Sequence, residues 1–278
     1  MMILARFYSL SLPILLSVFS AIPLMASAQP LTKPSTPLSP AQVTLEPKAL
    51  AILKAMSDRL SGAKSLRFTA IATYESPSLI GPALAYMTRS EVTLQRPNQL
   101  QVLTLGDGPA TEFYYDGTMM AAYATAENLV AMAKAPGTLD AALREAYRTA
   151  DIYFPFSDVI VSDPYKDMVE GLKTAFVVGQ SNIVGGTKTD IVAIANNQVF
   201  AQIWIGVEDK LPRAMRVVYR DDPSRLRHLV EFSNWDLNPA IAADAFSPAH
   251  LKKAAPIPFA RPEPKVPAKT KSPSGEPQ

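Results

Sequence analysis

Residues 202–219, QIWIGVEDKLPRAMRVVY, decide how the rest of the chain is read. Residues 199–207 and 215–219 are rich in β-branched and aromatic side chains, the composition of strands. Between them come Glu208, Asp209 and Lys210, then Leu211-Pro212, where proline ends the turn and opens the return strand. The stretch predicts a β-hairpin. One strand on each side, over 187–195 and 226–235, extends it to a sheet, and a further strand over 174–181 precedes the Gly185-Gly186 turn.

Upstream, the same period of two recurs. Leu66, Phe68, Ala70, Ala72 and Tyr74 share one face of a strand over 66–74, with Arg67, Thr69 and Thr73 on the other. Over 88–94, Val92 and Leu94 oppose Arg89, Glu91 and Thr93. Strands follow at 100–105, 112–115 and 119–124. The turns between them fall at Arg96-Pro97-Asn98, at 106–109 and at Asp116-Gly117, the last a strong two-residue hairpin signal. This predicts a five-strand meander. Residues 76–86, SPSLIGPALAY, read as an apolar loop between its first two strands.

Helical spacing appears elsewhere. Pro47 suits a first helical position, and Leu50, Leu53, Met56 and Leu60 form one stripe over 49–60 before Ser61-Gly62 stops it. Residues 127–134 read as a short helix. Thr138 is a candidate N-cap for 139–150, with Leu139, Ala142, Leu143, Ala146 and Tyr147 on one stripe. Residues 152–161, IYFPFSDVIV, are apolar and broken by Pro155, with Ser157 placed to cap a short helix; 166–171 read as another brief helix.

Composition bounds the classes. The 278 residues hold 27 basic and 25 acidic side chains, a balance that does not imply nucleic acid as a partner. There is no cysteine, which excludes disulfides, thiolate metal sites, cysteine nucleophiles and a lipid-anchored cysteine. Arg6, an apolar run over 7–24 carrying Pro13 and Pro23, and Ala26-Ser27-Ala28 read as an export signal cleaved near Ala28, which implies a periplasmic protein. Prolines 30, 34, 37, 40 and 47 make 29–46 a semi-extended linker. Residues 252–278 carry seven prolines and six basic against two acidic side chains, and read as a disordered tail. Its charge suits weak contact with anionic envelope surfaces. The folded domain is expected over 47–251.

The order of helix, meander, helical insert and second sheet half resembles the lipoprotein-carrier half-barrel superfamily, which includes LolA, LolB and mycobacterial lipid-binding lipoproteins. Trp204, Leu211-Pro212 and the closing Phe232, Asn234, Trp235 and Phe246 carry the likeness. Tyr115-Asp116-Gly117, the helix start at Thr138 and the spacing from Ile203-Trp204-Ile205 to Leu211-Pro212 are similar to a family of predicted periplasmic proteins of unassigned function. The resemblance covers about residues 47–248. It implies an incomplete antiparallel barrel around helices with a hydrophobic cavity between them, and a carrier without the cysteine of LolB-type receptors. The fold class expected is therefore α+β, a curved antiparallel half-barrel of about nine to eleven strands with helices on its concave face.

Catalytic constellations are missing from the sequence. His228 and His250 are too few for a His-Glu-x-x-His site, and His228 shares its phase with Leu226, Val230 and Phe232, as a buried structural histidine does. Ser61 and Lys64 fit Ser-x-x-Lys, but Ser-Asp-Asn and Lys-Thr-Gly are lacking. Gly106-x-Gly108 runs into Pro109 and a strand, so it is a turn and not a phosphate cradle. No enzyme, metal or cofactor is implied. The function expected is binding or carriage of a hydrophobic ligand, a lipid or the acyl chains of a lipoprotein. Strand phase gives its candidate lining as Phe68, Val92, Leu94, Leu100, Val102, Ile203, Val217 and Phe232. The alternative is a non-enzymatic envelope module with a filled core. Oligomeric state does not follow from the sequence.

Overall fold

The computed structural model describes residues 44–261. The export signal, residues 29–43 of the linker and the tail beyond Arg261 lie outside the described residues. The strands are β1 (Thr44–Leu45), β2 (Ser65–Ser78), β3 (Gly81–Gln95), β4 (Gln99–Gly106), β5 (Thr111–Tyr115), β6 (Met119–Ala124) and β7 (Leu129–Lys134). After the helical insert come β8 (Thr174–Ser181), β9 (Thr189–Ala195), β10 (Val199–Gly206), β11 (Pro212–Tyr219), β12 (Arg227–Leu237) and β13 (Ala255–Ile257). All belong to one unclosed sheet, in the order β1-β8-β9-β10-β11-β12-β2-β3-β4-β5-β6-β7-β13. Eleven strands, β2 to β12, pair antiparallel, while the short β1 and β13 pair parallel with β8 and β7 at the two edges. The upper end of the expected strand number is met, and the edge strands add two.

Laid flat, eleven strands would span about 50 Å. Yet Ala175 of β8 and Met120 of β6 share one hydrophobic core with Leu53 and Leu143 of the helices, so the sheet must curl around them. The helix α1 (Pro47–Ser61) buries Ala49, Leu53, Met56 and Leu60, and α2 (Leu139–Ala150) buries Leu139, Ala142, Leu143 and Ala146. Both stripes face the concave side, as the single apolar face of each required. Two short helices, α3 (Ser157–Ile160) and α4 (Pro164–Val169), complete the insert. The Oγ of buried Ser57 on α1 accepts the Tyr165 N–H at 2.9 Å, joining α1 to α4. Among the described residues no helix is long and apolar enough to cross a membrane.

Local chemistry sets the element ends. Pro47 starts α1, and the Gly62 N–H donates to Asp58 C=O at 3.0 Å where it stops. Thr138 Oγ1 caps α2 by accepting the Ala141 N–H. At Asp116-Gly117, Asp116 Oδ1 accepts the N–H groups of Thr118 and Met119, both at 2.8 Å, while Gly117 supplies φ 99°.

Four expectations are corrected. Residues 129–134 form β7, not a helix: Met120, Tyr123 and their neighbours offer β6 as a partner, and six residues are too few for a helix to compete with a full ladder. The meander therefore has six strands. Residues 76–86 are not a loop between the first two strands but part of the strands themselves. They carry the β2–β3 ladder on from Glu75↔Ala85 to Ser78↔Gly81, past the last rungs to β12 (Tyr74↔His228) and β4 (Thr88↔Gly106). The result is a free two-stranded arm with Leu79 and Ile80 exposed at its tip. The linker boundary at 46 moves outward, because Thr44 and Leu45 form β1 and Glu46 Oε2 accepts the Val177 N–H at 2.9 Å. The tail boundary at 252 also moves. Residues 252–261 belong to the fold: β13 pairs with β7, Phe259 packs on the main core, and Arg261 pairs with Asp151 at 3.6 Å.

Candidate ligand cleft

The inward face of the sheet is ordered in rows across the strands. One row runs Leu66–Leu94–Leu100–Tyr115–Met120, and the next Phe68–Val92–Val102–Phe113. Two residues further along each strand, the row reads Ala70–Ser90–Thr104–Thr111, and beyond it Ala72–Thr88–Gly106. Large apolar side chains give way to small ones and hydroxyls. The backbone spacing does not change, so space opens above Thr88, Ser90, Thr104 and Thr111, while Ala70 and Ala72 stay covered by the core.

The opposite wall is the chain leaving α2. Asp151 takes a left-handed conformation (φ 60°), its N–H bonded to the carbonyls of Ala146 and Tyr147, and this turns residues 152–156 across the concave face. Phe154 and Phe156 stack at 5.5 Å and reach the aromatic core, Phe156 meeting Phe68 at 5.7 Å and Phe154 meeting Phe113 at 5.2 Å. Trp235 stacks on Phe68 at 4.4 Å. The apolar segment 152–161 thus seals the large rows. Above that seal a cleft of about 750 Å³ remains, within the range of small-molecule sites. Ser90, Thr104, Thr88 and Tyr74 line its sheet side, Ile152, Tyr153, Phe154 and Pro155 the insert side, and Tyr219, Leu226 and His228 a third wall.

The cleft is not purely apolar. Ser90 Oγ and Thr104 Oγ1 are hydrogen-bonded at 2.9 Å. His228 is 5 % exposed, and burial pushes its pKa down to about 4, so the ring is neutral near pH 7. Its Nδ1 lies 3.1 Å from the Tyr219 hydroxyl, and its buried Nε2 has no hydrogen-bond partner. Burial raises the hydroxyl pKa of Tyr219 and of its neighbour Tyr153. At the rim Arg227 pairs with Glu75 at 2.8 Å, beside Asp151, Asp221 and Asp222. Two other buried unpartnered nitrogens, Nε and Nη2 of Arg96, belong to the β3–β4 turn outside this cleft. No cluster of three or more histidine or acidic side chains able to hold a metal ion occurs among the described residues.

The structure brings the eight lining candidates together, but in the filled part of the molecule. Phe68, Val92, Leu94, Leu100, Val102, Ile203, Val217 and Phe232 are each at most 5 % exposed and all sit in the main core, and none lines this cleft. Their inward orientation was legible from phase; their distance from the open end was not. The sequence reading missed Ser90, Thr104, Tyr153, Tyr219 and Leu226. The signal for two of them was present, since Ser90 shares the phase of Val92 and Leu94, and Thr104 that of Leu100 and Val102. His228 is buried at the inward phase as expected, and it also reaches the cleft.

An unclosed antiparallel sheet curled around helices, with a cleft at one end of its concave face, is a half-barrel. Residues 49–260 match the family of predicted periplasmic proteins designated DUF2092, and the chain belongs to that family. This places it in the periplasm. No curated protein matches the chain. Among solved structures, MucB is similar at a TM-score of 0.45 and 15 % identity, over 73 % of this chain and 63 % of that one; the match to the Pseudomonas aeruginosa MucA/MucB complex covers 60 % of the matched chain. The chain thus spans less than two thirds of those proteins. A putative outer membrane lipoprotein-sorting protein domain from Vibrio parahaemolyticus is similar at a TM-score of 0.34 and 12 % identity, over 74 % of this chain and 98 % of that one. A LolA superfamily protein from Nitrosomonas europaea is similar at 0.33 and 8 %, over 72 % and 97 %.

Proposed function

We propose that this protein is a non-enzymatic periplasmic binding protein that holds a lipid-like ligand in the cleft between β2–β4, β12 and residues 151–155. The single observation behind this reading is the change of side-chain size along the inward face. Rows filled with Phe, Leu and Val stop at Ala70–Ser90–Thr104, where packing to ordinary interior density would call for larger residues. A cleft of about 750 Å³ is large enough to hold a ligand of small-molecule size. Extraction and mass spectrometry of the protein purified from its native envelope is expected to recover a bound lipid. Uptake of the fluorescent apolar probe N-phenylnaphthylamine should fall at least tenfold in Thr104→Phe, which fills the cleft, with thermal stability retained. No lipid and no probe uptake would exclude the reading. A second reading, an envelope interaction module, is supported by a different feature, the free arm with exposed Leu79, Ile80, Leu84 and Met87.

A further inference from the structure

We propose that the mouth of the cleft is a docking surface for a segment of this same chain, residues 264–274, whose lysines pair with Asp221 and Asp222 and hinder entry of the ligand. The covering role rests on the binding reading above; the docking itself does not.

The first ground is the course of the chain up to Arg261. Leu251 packs on the outer face, β13 then runs along β7, Phe259 joins the main core, and Arg261 reaches Asp151 at 3.6 Å, its guanidinium 6.0 Å from the centre of the Tyr147 ring. Asp151 lines the cleft. Arg261 thus already holds one carboxylate of the mouth, and the residues after it start from there.

The second ground is charge. The lining of the cleft brings four carboxylates, Glu75, Asp151, Asp221 and Asp222, against one cation, Arg227. Arg227 pairs with Glu75 at 2.8 Å and Arg261 with Asp151, which leaves Asp221 and Asp222. Their own turn offers them little. Arg220 donates to the Asn196 carbonyl at 2.7 Å, leaving Arg225 against two carboxylates. The sequence after Arg261 supplies the missing cations. Residues 264–274, PKVPAKTKSPS, carry Lys265, Lys269 and Lys271 and no acidic side chain. An extended chain would put these lysines about 13–33 Å from Arg261, enough to cross a cleft of about 750 Å³. Prolines 262, 264 and 267 favour such a course over a helix or hairpin. Exposed ion pairs are individually weak, but the tether holds the lysines at high local concentration over the mouth.

The test compares the full mature chain with one stopped after Arg261, which keeps every described contact. At low salt and near neutral pH, zero-length carbodiimide cross-linking of the full chain is expected to join Lys265, Lys269 or Lys271 to Asp221 or Asp222 within one molecule, read by peptide mass spectrometry. The stopped chain should bind N-phenylnaphthylamine about three- to tenfold more tightly, the worth of two or three exposed ion pairs on a tether. That probe is uncharged, so the gap does not come from its own attraction to the mouth. Raising the salt should close the gap by releasing the docked segment. Asp221→Asn with Asp222→Asn should raise the affinity of the full chain by a similar factor and leave the stopped chain within about twofold, the non-additivity that contact requires. Asp222→Asn keeps the side-chain oxygen that accepts the Ser224 N–H. Cross-links confined to other carboxylates would overturn the proposal, as would equal probe affinity in the two chains. Cosedimentation with phosphatidylglycerol vesicles that the truncation abolishes, found without the intramolecular cross-link, would also overturn it and assign the segment to a membrane surface. The expected cross-link in a protein that takes up no probe would sink the binding reading and leave the docked segment standing.

Discussion

The row Phe68–Val92–Val102–Phe113 and the row Ala70–Ser90–Thr104–Thr111 are neighbours on one face of one sheet, two residues apart along each strand. They share backbone geometry, hydrogen-bond ladder and curvature. One is sealed by Phe154, Phe156 and Trp235, and the other, from Ser90 to Thr111, faces a cleft of about 750 Å³. The difference lies in side-chain volume alone, and the same insert segment serves both, with Phe154 closing the first and lining the second. A half-barrel thus need not be either an open carrier or a filled module. This one is filled at the α1 end and open at the other, and the two readings of its function attach to different parts of it.

The contrast can be broken most directly by truncating the filled row. Phe68→Ala should cost about 3–5 kcal/mol in denaturant unfolding, because it removes the hub of the aromatic cluster, whereas Thr104→Ala in the open row should cost under about 1 kcal/mol. Equal losses would mean that the open row is packed in solution.

A pH series sharpens the same boundary. Burial depresses the folded-state pKa of His228 to about 4 from an ordinary value of 6.5. Between those values the unfolded chain binds more protons than the folded one, so stability rises with pH across that window. Above about pH 6.5 the penalty is absent. It grows as the pH falls through 6.5 and reaches about 3 kcal/mol below pH 4. The difference between wild type and His228→Gln over pH 4–6.5 isolates this contribution from the carboxylates, and parallel curves would show that the ring is hydrated.

Smaller effects probe the edges of the comparison. Ala70→Leu stands where the rows change, with Ala70 1 % exposed, and should cost about 1–3 kcal/mol by overpacking. Stopping the chain after Pro248 removes Leu251 from its small cluster with Tyr114, Ala121 and Val130 on the outer face, and should cost about 1.5–3 kcal/mol. On the arm, Leu79→Ser should stay within about 0.5 kcal/mol of wild type, since that side chain touches nothing.

Period and punctuation settled much of this protein in advance. Alternation alone put Phe68, Val92, Leu100 and Ile203 on the buried face, and the stripes of α1 and α2, the Thr138 cap and the turn at Asp116-Gly117 were readable because each depends on residues within a few positions of one another. Residues 129–134 were misread because a six-residue apolar run is ambiguous until a partner strand exists. Residues 76–86 were misread because apolar composition suggests burial, while only the pairing register shows that β12 and β4 stop short and leave the arm uncovered. The cleft belongs to the same class. Its walls come from β2–β4, from the chain after α2 and from β11–β12, and an empty volume is a relation among distant segments that no local pattern encodes.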